Sequence, residues 1–145
     1  MENTMKTGDR YVSRLASEEQ KQSMNIQDLS IDFCYRIVRL SKHLEHYEKE
    51  YILSRQLLRS GTSIGANIRE AQHAQSEMDF LSKMSIALKE ASETEFWLEI
   101  LRNNGYLEIR LADSILHDCL RIKKTLICIT ATTAKKYKKK NKQSL

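Results

Sequence analysis

Apolar side chains recur every three or four residues through most of this chain, a spacing that puts them on one side of a helix. The pattern divides into four segments, at about 28–50, 51–75, 76–103 and 108–135. Each segment is long enough for a helix of roughly 30–40 Å, and the connections between segments are short. The pattern therefore predicts an all-α protein, an antiparallel up-down-up-down four-helix bundle.

The ends of these segments carry recognisable signals. Ser76 is expected to cap the third helix, and Gly105 takes the left-handed conformation that ends it. The chain has no proline, which favours long helices. Residues 1–26 are polar without a sustained apolar period and are predicted to be a flexible leader. The bundle then spans 27–134, and residues 135–145 form a basic tail that we expect to be disordered.

The second segment contains a run of small and polar residues, RSGTSIGANIREAQ, at 59–72. Within it, GTSIG spells a nucleophile elbow, but that motif needs a strand before it. A phosphate loop would need a lysine after the second glycine. We therefore predict a thin helix that lets a neighbour approach closely, despite the cost of glycine in a helix. The residues assigned to this structural role are Ser60, Gly61, Gly65 and Asn67. Asn67 is expected to hydrogen-bond to a neighbouring helix, at Glu90, Glu93 or Thr94.

A second set of apolar residues lies away from the predicted core stripes. A monomer rarely leaves several such stripes exposed, so the pattern indicates self-association. The alternative is a wide bundle with isolated surface hydrophobes. The predicted interface residues are Ile86, Trp97, Ile100, Leu116 and Leu120.

The net charge of +5 is concentrated at one end of the chain. Six of the 24 basic residues lie at 135–142, and the remaining 18 stand against 19 acidic residues. Such a tail either binds nucleic acid through phosphate neutralisation or is a solvated end that aids solubility. The candidate nucleic-acid-binding residues are Arg55, Arg59, Arg69, Lys123, Lys124, Lys135, Lys136, Lys138, Lys139, Lys140 and Lys142.

Other chemical patterns in the sequence are incomplete. Glu70 and His73 spell E-x-x-H, but a di-iron bundle needs a second such motif. His43 and His46 supply only two of the ligands that zinc needs. Three cysteines without C-x-x-C spacing indicate reduced thiols in a cytoplasmic protein, and no apolar run is long enough to span a membrane. We predict no enzyme activity, no metal and no cofactor.

Two stretches of the chain resemble a known family. They are SRQLLRSGTSIGANIREA at 54–71 and, after Asp79-Phe80 and Lys83, IALKEASETEFWLE at 86–99. They are similar to the four-helix-bundle proteins encoded in 23S rRNA intervening sequences, which are related to the accessory variability determinant proteins of diversity-generating retroelements. The resemblance covers roughly 29–129. It implies a bundle that is usually a homopentamer and lacks enzymatic activity, and the retroelement relatives bind nucleic acid and a reverse transcriptase.

Two functions follow as hypotheses. The first is a homo-oligomeric bundle that binds RNA or DNA through its basic residues. The second is a protein–protein scaffold whose lysine tail is incidental. A third, a metal-dependent enzyme, would require bound metal in the purified protein.

Overall fold

The structure, a computed structural model, describes residues 25–144, which form four α-helices and no strand. The helices are α1 (Ile26–His46), α2 (Ile52–Ala71), α3 (Glu77–Asn103) and α4 (Ile109–Gln143). The predicted all-α class is confirmed. The predicted leader at 1–26 lies mostly outside the described residues, and α1 begins slightly earlier than expected. Within the described range, no helix is apolar enough over a sufficient length to cross a membrane.

Side chains cap the starts of α1 and α3, and a glycine follows the end of α3. Asn25 accepts a hydrogen bond from the Asp28 amide at 3.0 Å, and Ser76 accepts one from the Asp79 amide at 3.0 Å, as predicted for α3. Each oxygen satisfies one of the amides that a helix start leaves unpaired. After α3, Gly105 has a φ of +77°, the left-handed conformation that glycine adopts most easily.

The start of α2 uses a signal that the sequence analysis missed. The Glu50 carboxylate accepts hydrogen bonds from three successive amides, those of Ile52, Leu53 and Ser54, at 3.1, 2.9 and 2.7 Å. A carboxylate here also suits the positive end of the helix dipole. This contact fixes the point at which the chain turns from α1 into α2.

One stripe from each helix forms the core. The largest fully buried side chains are Phe33, Ile37, Leu44, Leu57, Ile64, Ile68, Met84, Leu98, Leu101, Ile115, Ile122 and Leu126. Helical spacing from Leu44 and Ile115 predicts Tyr47 and Leu111 on these stripes too, but both are exposed, at 70% and 37%. Tyr47 follows the last residue of α1. On α4 the buried position is Ala112, which is in phase with Ile115 and Cys119, so its neighbour Leu111 points away.

Specific contacts give the order in which neighbouring helices meet. Between α1 and α2, Cys34 meets Gly61 while Ser41 meets Ser54. Residue numbers therefore rise on one helix as they fall on the other. The other contacts show the same reversed order: Glu70–Lys83 and Ser60–Thr94 between α2 and α3, and Glu95–Lys123 and Arg102–Asp113 between α3 and α4.

A clasp centred on Arg36 joins α1 to α4. Its guanidinium donates to the Asp118 carboxylate at 2.6 Å and to the Ser114 hydroxyl at 3.0 Å. Both charged side chains are mostly buried, at 15% and 17% exposure. Because both charges are largely removed from water, breaking this pair should destabilise the bundle more than breaking an exposed surface pair. Through it, the first and last helices of the bundle are joined.

The predicted disordered tail is wrong through Gln143, because α4 continues as a helix of 35 residues, about 52 Å long. No glycine or proline follows Gly105, and alanine and lysine are both good helix formers. Lys140 also forms an ion pair with Glu77 at the start of α3. The lysines therefore project from an ordered helix.

Candidate nucleic-acid interface and assembly surface

The glycine-containing stretch is part of α2 and packs closely on α1. A methyl group added at Gly61 would lie 2.8 Å from Cγ2 and 2.9 Å from Cγ1 of Ile37, and one added at Gly65 would lie 2.8 Å from the Cys34 sulfur. All three distances are shorter than normal contacts. The elbow-like string therefore lies inside a helix, and the hydroxyl of Ser63 within it donates to the Arg59 carbonyl at 2.7 Å.

The thiol of Cys34 occupies the space beside Gly65. It donates to the Gly61 carbonyl, with a sulfur–oxygen distance of 3.6 Å. Burial raises the pKa of this thiol, and burial raises the pKa of Cys119 in the core to about 12. Only a thiolate is a good nucleophile, so both thiols are unreactive packing groups at neutral pH.

A buried polar pair joins α2 to α3, but it does not involve the residue expected. The hydroxyl oxygens of Ser60 and Thr94 lie 3.0 Å apart, and both residues are fully buried. Asn67 instead donates to the Ser63 carbonyl of its own helix at 2.8 Å. The prediction of an inter-helix bond from Asn67 was wrong because Asn67 is only half-buried, at the edge of the contact.

Next to Ser60 in the chain, Arg59 forms a charged network on the outer surface of α2 and α3. Its guanidinium contacts Glu90 at 3.3 Å and also Glu93. Glu93 additionally accepts a hydrogen bond from the indole of Trp97 at 3.1 Å. The hydrogen bond from Arg59, aided by the one from Trp97, lowers the pKa of Glu93. Arg59 therefore has carboxylate partners that a phosphate would have to displace.

The remaining patterns that the sequence suggested do not assemble into a reactive site. Glu70 pairs with Lys83 at 2.8 Å, and His73 lies beyond the last residue of α2. The rings of His43 and His46 both pack on Tyr47. Across residues 25–144, no three His, Cys, Asp or Glu side chains come together as metal ligands would.

The structure separates the candidate basic residues on α2. Arg55 and Arg69 are both exposed, but 14 residues of helix place them roughly 21 Å apart. On α4, Lys123 pairs with Glu95 at 2.8 Å, whereas Lys124 is exposed and forms no ion pair with the described residues. The predicted basic residues therefore do not form one compact site.

The lysines of the last turns of α4 are brought together. Apart from Lys140, none of them forms an ion pair within the described part of the chain, and all are exposed. They are Lys135, Lys136, Lys138, Lys139 and Lys142. No acidic residue follows Asp118 in the sequence, so no carboxylate on α4 itself compensates this positive charge.

The predicted interface residues differ in exposure. Ile86 and Leu120 are each 38% exposed. Trp97 and Leu116 are half-buried and pack against the core, and Ile100 is also half-buried.

Other exposed apolar residues on α3 and α4 lie outside the predicted interface set, among them Phe96 and Ile127. Phe96 is 50% exposed, and its ring lies edge-on to Trp97 with centroids 5.0 Å apart. The sequence signal was the pairing of Phe96 with Trp97, but only Trp97 was selected from it. Ile127 on α4 is 48% exposed and belongs to the second apolar set, although it was not chosen as an interface residue. The outward surfaces of α3 and α4 are therefore more apolar than the predicted set alone.

Comparisons with known proteins agree with this fold. A family model described as 23S rRNA-intervening sequence protein matches residues 22–128. A crystal structure of a protein with unknown function from the S23 ribosomal protein family of Bacteroides thetaiotaomicron is 52% identical, with a TM-score of 0.72. That match covers 73% of this chain and 98% of the other. No curated protein matches significantly. This chain belongs to the 23S rRNA-intervening sequence protein family.

Proposed function

We propose that this chain is a non-catalytic, cytoplasmic, homo-oligomeric bundle that binds nucleic acid through its basic surface. The main support for this proposal is the charge distribution of α4, which has nine basic residues and no acidic residue after Asp118. Neutralising phosphates with lysine and arginine releases counterions and favours binding without sequence specificity. The three free thiols suit a reducing compartment.

The up-down-up-down topology is part of this proposal. Its support is the reversed order of contacts between successive helices, with Cys34–Gly61 and Ser41–Ser54 as the first example. The Arg36–Asp118 ion pair also places the first helix next to the last. Short connections between helices of similar length favour the same arrangement.

Self-association is supported by the exposed apolar residues on α3 and α4. Large apolar side chains outside the core stripe of a helix are normally covered by a partner, and α3 carries Phe96 on the side opposite its core stripe and Ile86 on its flank. Family resemblance favours a pentamer. Light scattering of the purified chain should give a mass several times the 16.9 kDa of one chain. A monomer at high concentration would refute this part of the proposal.

Nucleic-acid binding is tested by titrating labelled RNA and DNA with the full chain. Affinity should fall steeply as salt rises from about 50 to 200 mM, because each neutralised phosphate contributes to the salt dependence. Absence of binding to either polymer at low salt would refute the proposal. Elemental analysis of the same preparation tests the third hypothesis, since bound metal in stoichiometric amount would contradict a metal-free, non-catalytic protein.

The second candidate is a protein scaffold without nucleic-acid binding. Exposed Phe96, beside the half-buried Trp97, favours it, because aromatic residues are enriched in protein interfaces. Deleting residues 135–145 separates the two functions. The nucleic-acid proposal predicts weaker binding after the deletion, whereas a scaffold would retain its protein contacts and show no nucleic-acid binding in either form.

A further inference from the structure

The last turns of α4 lie outside the part of the chain that matches the family. The family match ends at residue 128, whereas α4 continues to Gln143. This extension, 129–143, adds about 22 Å of helix. The extension therefore lies beyond the matched bundle.

All the charged residues of the extension are lysines, and four of them share one side of the helix. Four exposed lysines occur at positions i, i+3, i+4 and i+7, which places them on the same side of a helix. They are Lys135, Lys138, Lys139 and Lys142. We refer to these four residues as the lysine face. They span seven residues of helix, about 10.5 Å, and none forms an ion pair with another described residue.

The other side of the extension faces the bundle. Tyr137 is half-buried, and helical geometry places it roughly opposite the lysine face. Lys140 pairs with Glu77 at the first residue of α3. The extension is thereby held against α3 while its lysine face points outward. A recognition helix is likewise supported by protein on one side and free on the other.

The shape of this element selects among nucleic acids. An α-helix with its side chains is about 10–12 Å across, close to the roughly 12 Å width of the B-form major groove. Lys138 and Lys139 diverge by about 100°, so they reach toward the two phosphate rows that border such a groove. The major groove of A-form RNA is too narrow and deep for this approach.

Single strands fit the lysine face less well. Proteins that bind single strands combine a basic groove with aromatic side chains that stack on the bases. The aromatic residue of the extension, Tyr137, lies on the side turned away from the lysines and is half-buried. The lysine face therefore offers charge without a stacking surface.

We propose that the lysine face of the α4 extension binds the phosphates of duplex DNA on both sides of the major groove, independently of base sequence. This inference rests on the proposed nucleic-acid binding and narrows it to one polymer and one helix face. Because the lysines contact phosphates, removing them should reduce the salt dependence of binding by roughly 0.9 for each lysine.

The test compares three probes of equal length, namely duplex DNA, its single strand and the matching duplex RNA, each of roughly 20 bases or base pairs. Fluorescence anisotropy measures binding of the full chain. Duplex DNA should bind at least about tenfold more tightly than either of the others at the same salt concentration, because only it presents both phosphate rows at the required spacing.

Two matched triple variants then test the face itself. Lys135→Gln/Lys138→Gln/Lys142→Gln should reduce the slope of log affinity for duplex DNA against log salt by about 2.7, roughly 0.9 for each lysine. The control removes the same charge from three exposed lysines elsewhere: Lys42→Gln/Lys49→Gln/Lys89→Gln. The control should change the slope by less than about 1. Glutamine and lysine have similar helix propensity, so both variants should keep the wild-type far-ultraviolet circular dichroism.

A third variant tests whether the helix is needed. Ala131→Gly/Ala134→Gly keeps every lysine but weakens the helix, because glycine is a poorer helix former than alanine. Duplex DNA affinity should fall several-fold, while single-strand affinity should remain unchanged, since a flexible lysine segment still attracts phosphates.

The outcomes distinguish this inference from the proposed function. Equal or tighter binding to single strands or to duplex RNA would overturn the inference and leave general nucleic-acid binding intact. Equal salt slopes for the two triple variants would also overturn it, because the binding charge would then be spread over the bundle. Absence of binding to all three probes at low salt would overturn both.

Discussion

Gly61→Ala tests whether the thin part of α2 exists to admit α1. In an ordinary helix this change removes the conformational cost of glycine and stabilises the protein by about 1 kcal/mol. Here the new methyl group would lie 2.8 Å from Cγ2 and 2.9 Å from Cγ1 of Ile37. Ile37 is fully buried and β-branched, so its side chain has few alternative rotamers.

The expected magnitude follows from two opposing effects. Overpacking a well-packed core costs about 1–3 kcal/mol, and the gain in helix propensity offsets about 1 kcal/mol of that. Gly61→Ala should therefore be less stable than wild type by roughly 0–2 kcal/mol. Gly65→Ala is the matched control, since its methyl group would meet the Cys34 sulfur at 2.8 Å. That sulfur can move by rotation about one bond.

Urea unfolding followed by circular dichroism measures both variants at one fixed protein concentration, because association affects apparent stability. We expect Gly65→Ala to be at least about 1 kcal/mol more stable than Gly61→Ala, with similar urea dependence of the unfolding free energy. In a Cys34→Ala background, Gly65→Ala should become stabilising. If Gly61→Ala raises stability by the full amount of an ordinary glycine-to-alanine change, the close approach of α1 does not explain the glycine.

Three other outcomes are expected. Thr94→Val should lower the free energy of unfolding by about 1–2 kcal/mol, because the buried Ser60 hydroxyl loses its bond with Thr94 and keeps only its 3.4 Å bond to the Leu57 carbonyl; urea unfolding that matched wild type would contradict a structural role for this pair. The hydrogen bond from Arg59 lowers the pKa of Glu93, so its stabilising effect is complete above the ordinary value of 4.5 and is lost as the pH falls through the lower folded-state pKa. The free energy of unfolding should therefore fall less on acidification in Glu93→Gln than in wild type, as measured by unfolding at a series of pH values. A thiol reagent at pH 8 should modify the exposed Cys128 rapidly but Cys119, whose pKa burial raises to about 12, only on unfolding; equal labelling rates in the native protein would be inconsistent with the core position of Cys119.

Helix identity was predictable because it depends on spacing repeated over many residues. An error at one position, such as Leu111 in place of Ala112, leaves the remaining stripe on α4 intact. The interpretation of GTSIG as helical followed from the same spacing, since Leu57, Ile64 and Ile68 continue through it in phase. Periodicity therefore outweighed a five-residue motif that lacked its structural context.

Which polar residue bridges two helices was not predictable at this level. Ser60 and Asn67 lie seven residues apart on nearly the same side of α2, yet Ser60 is fully buried and Asn67 only half-buried. Periodicity places both residues on one side of α2 but does not specify which of them α3 covers. The hydroxyl of Thr94 then reaches Ser60, and Asn67 satisfies its amide within its own helix.

Composition alone predicts a disordered tail, because it does not take helix propensity into account. A dense run of lysines indicates disorder through charge repulsion, and like charges one turn apart do oppose a helix. Residues 129–143, however, continue a helix that is already formed, so they avoid the cost of nucleation. The ion pair between Lys140 and Glu77 supplies an additional contact with α3.

Ion pairing divides the basic residues into two groups with different roles. The first group lies against carboxylates of neighbouring helices, as Arg36, Arg59 and Lys123 do. A phosphate that recruited one of these side chains would have to break a contact between helices, so binding there would compete with the stability of the bundle. The lysine face has no such competitor within the described residues. We therefore expect changes in the extension to alter charge-dependent binding with little effect on bundle stability, and changes at the inter-helix pairs to do the reverse.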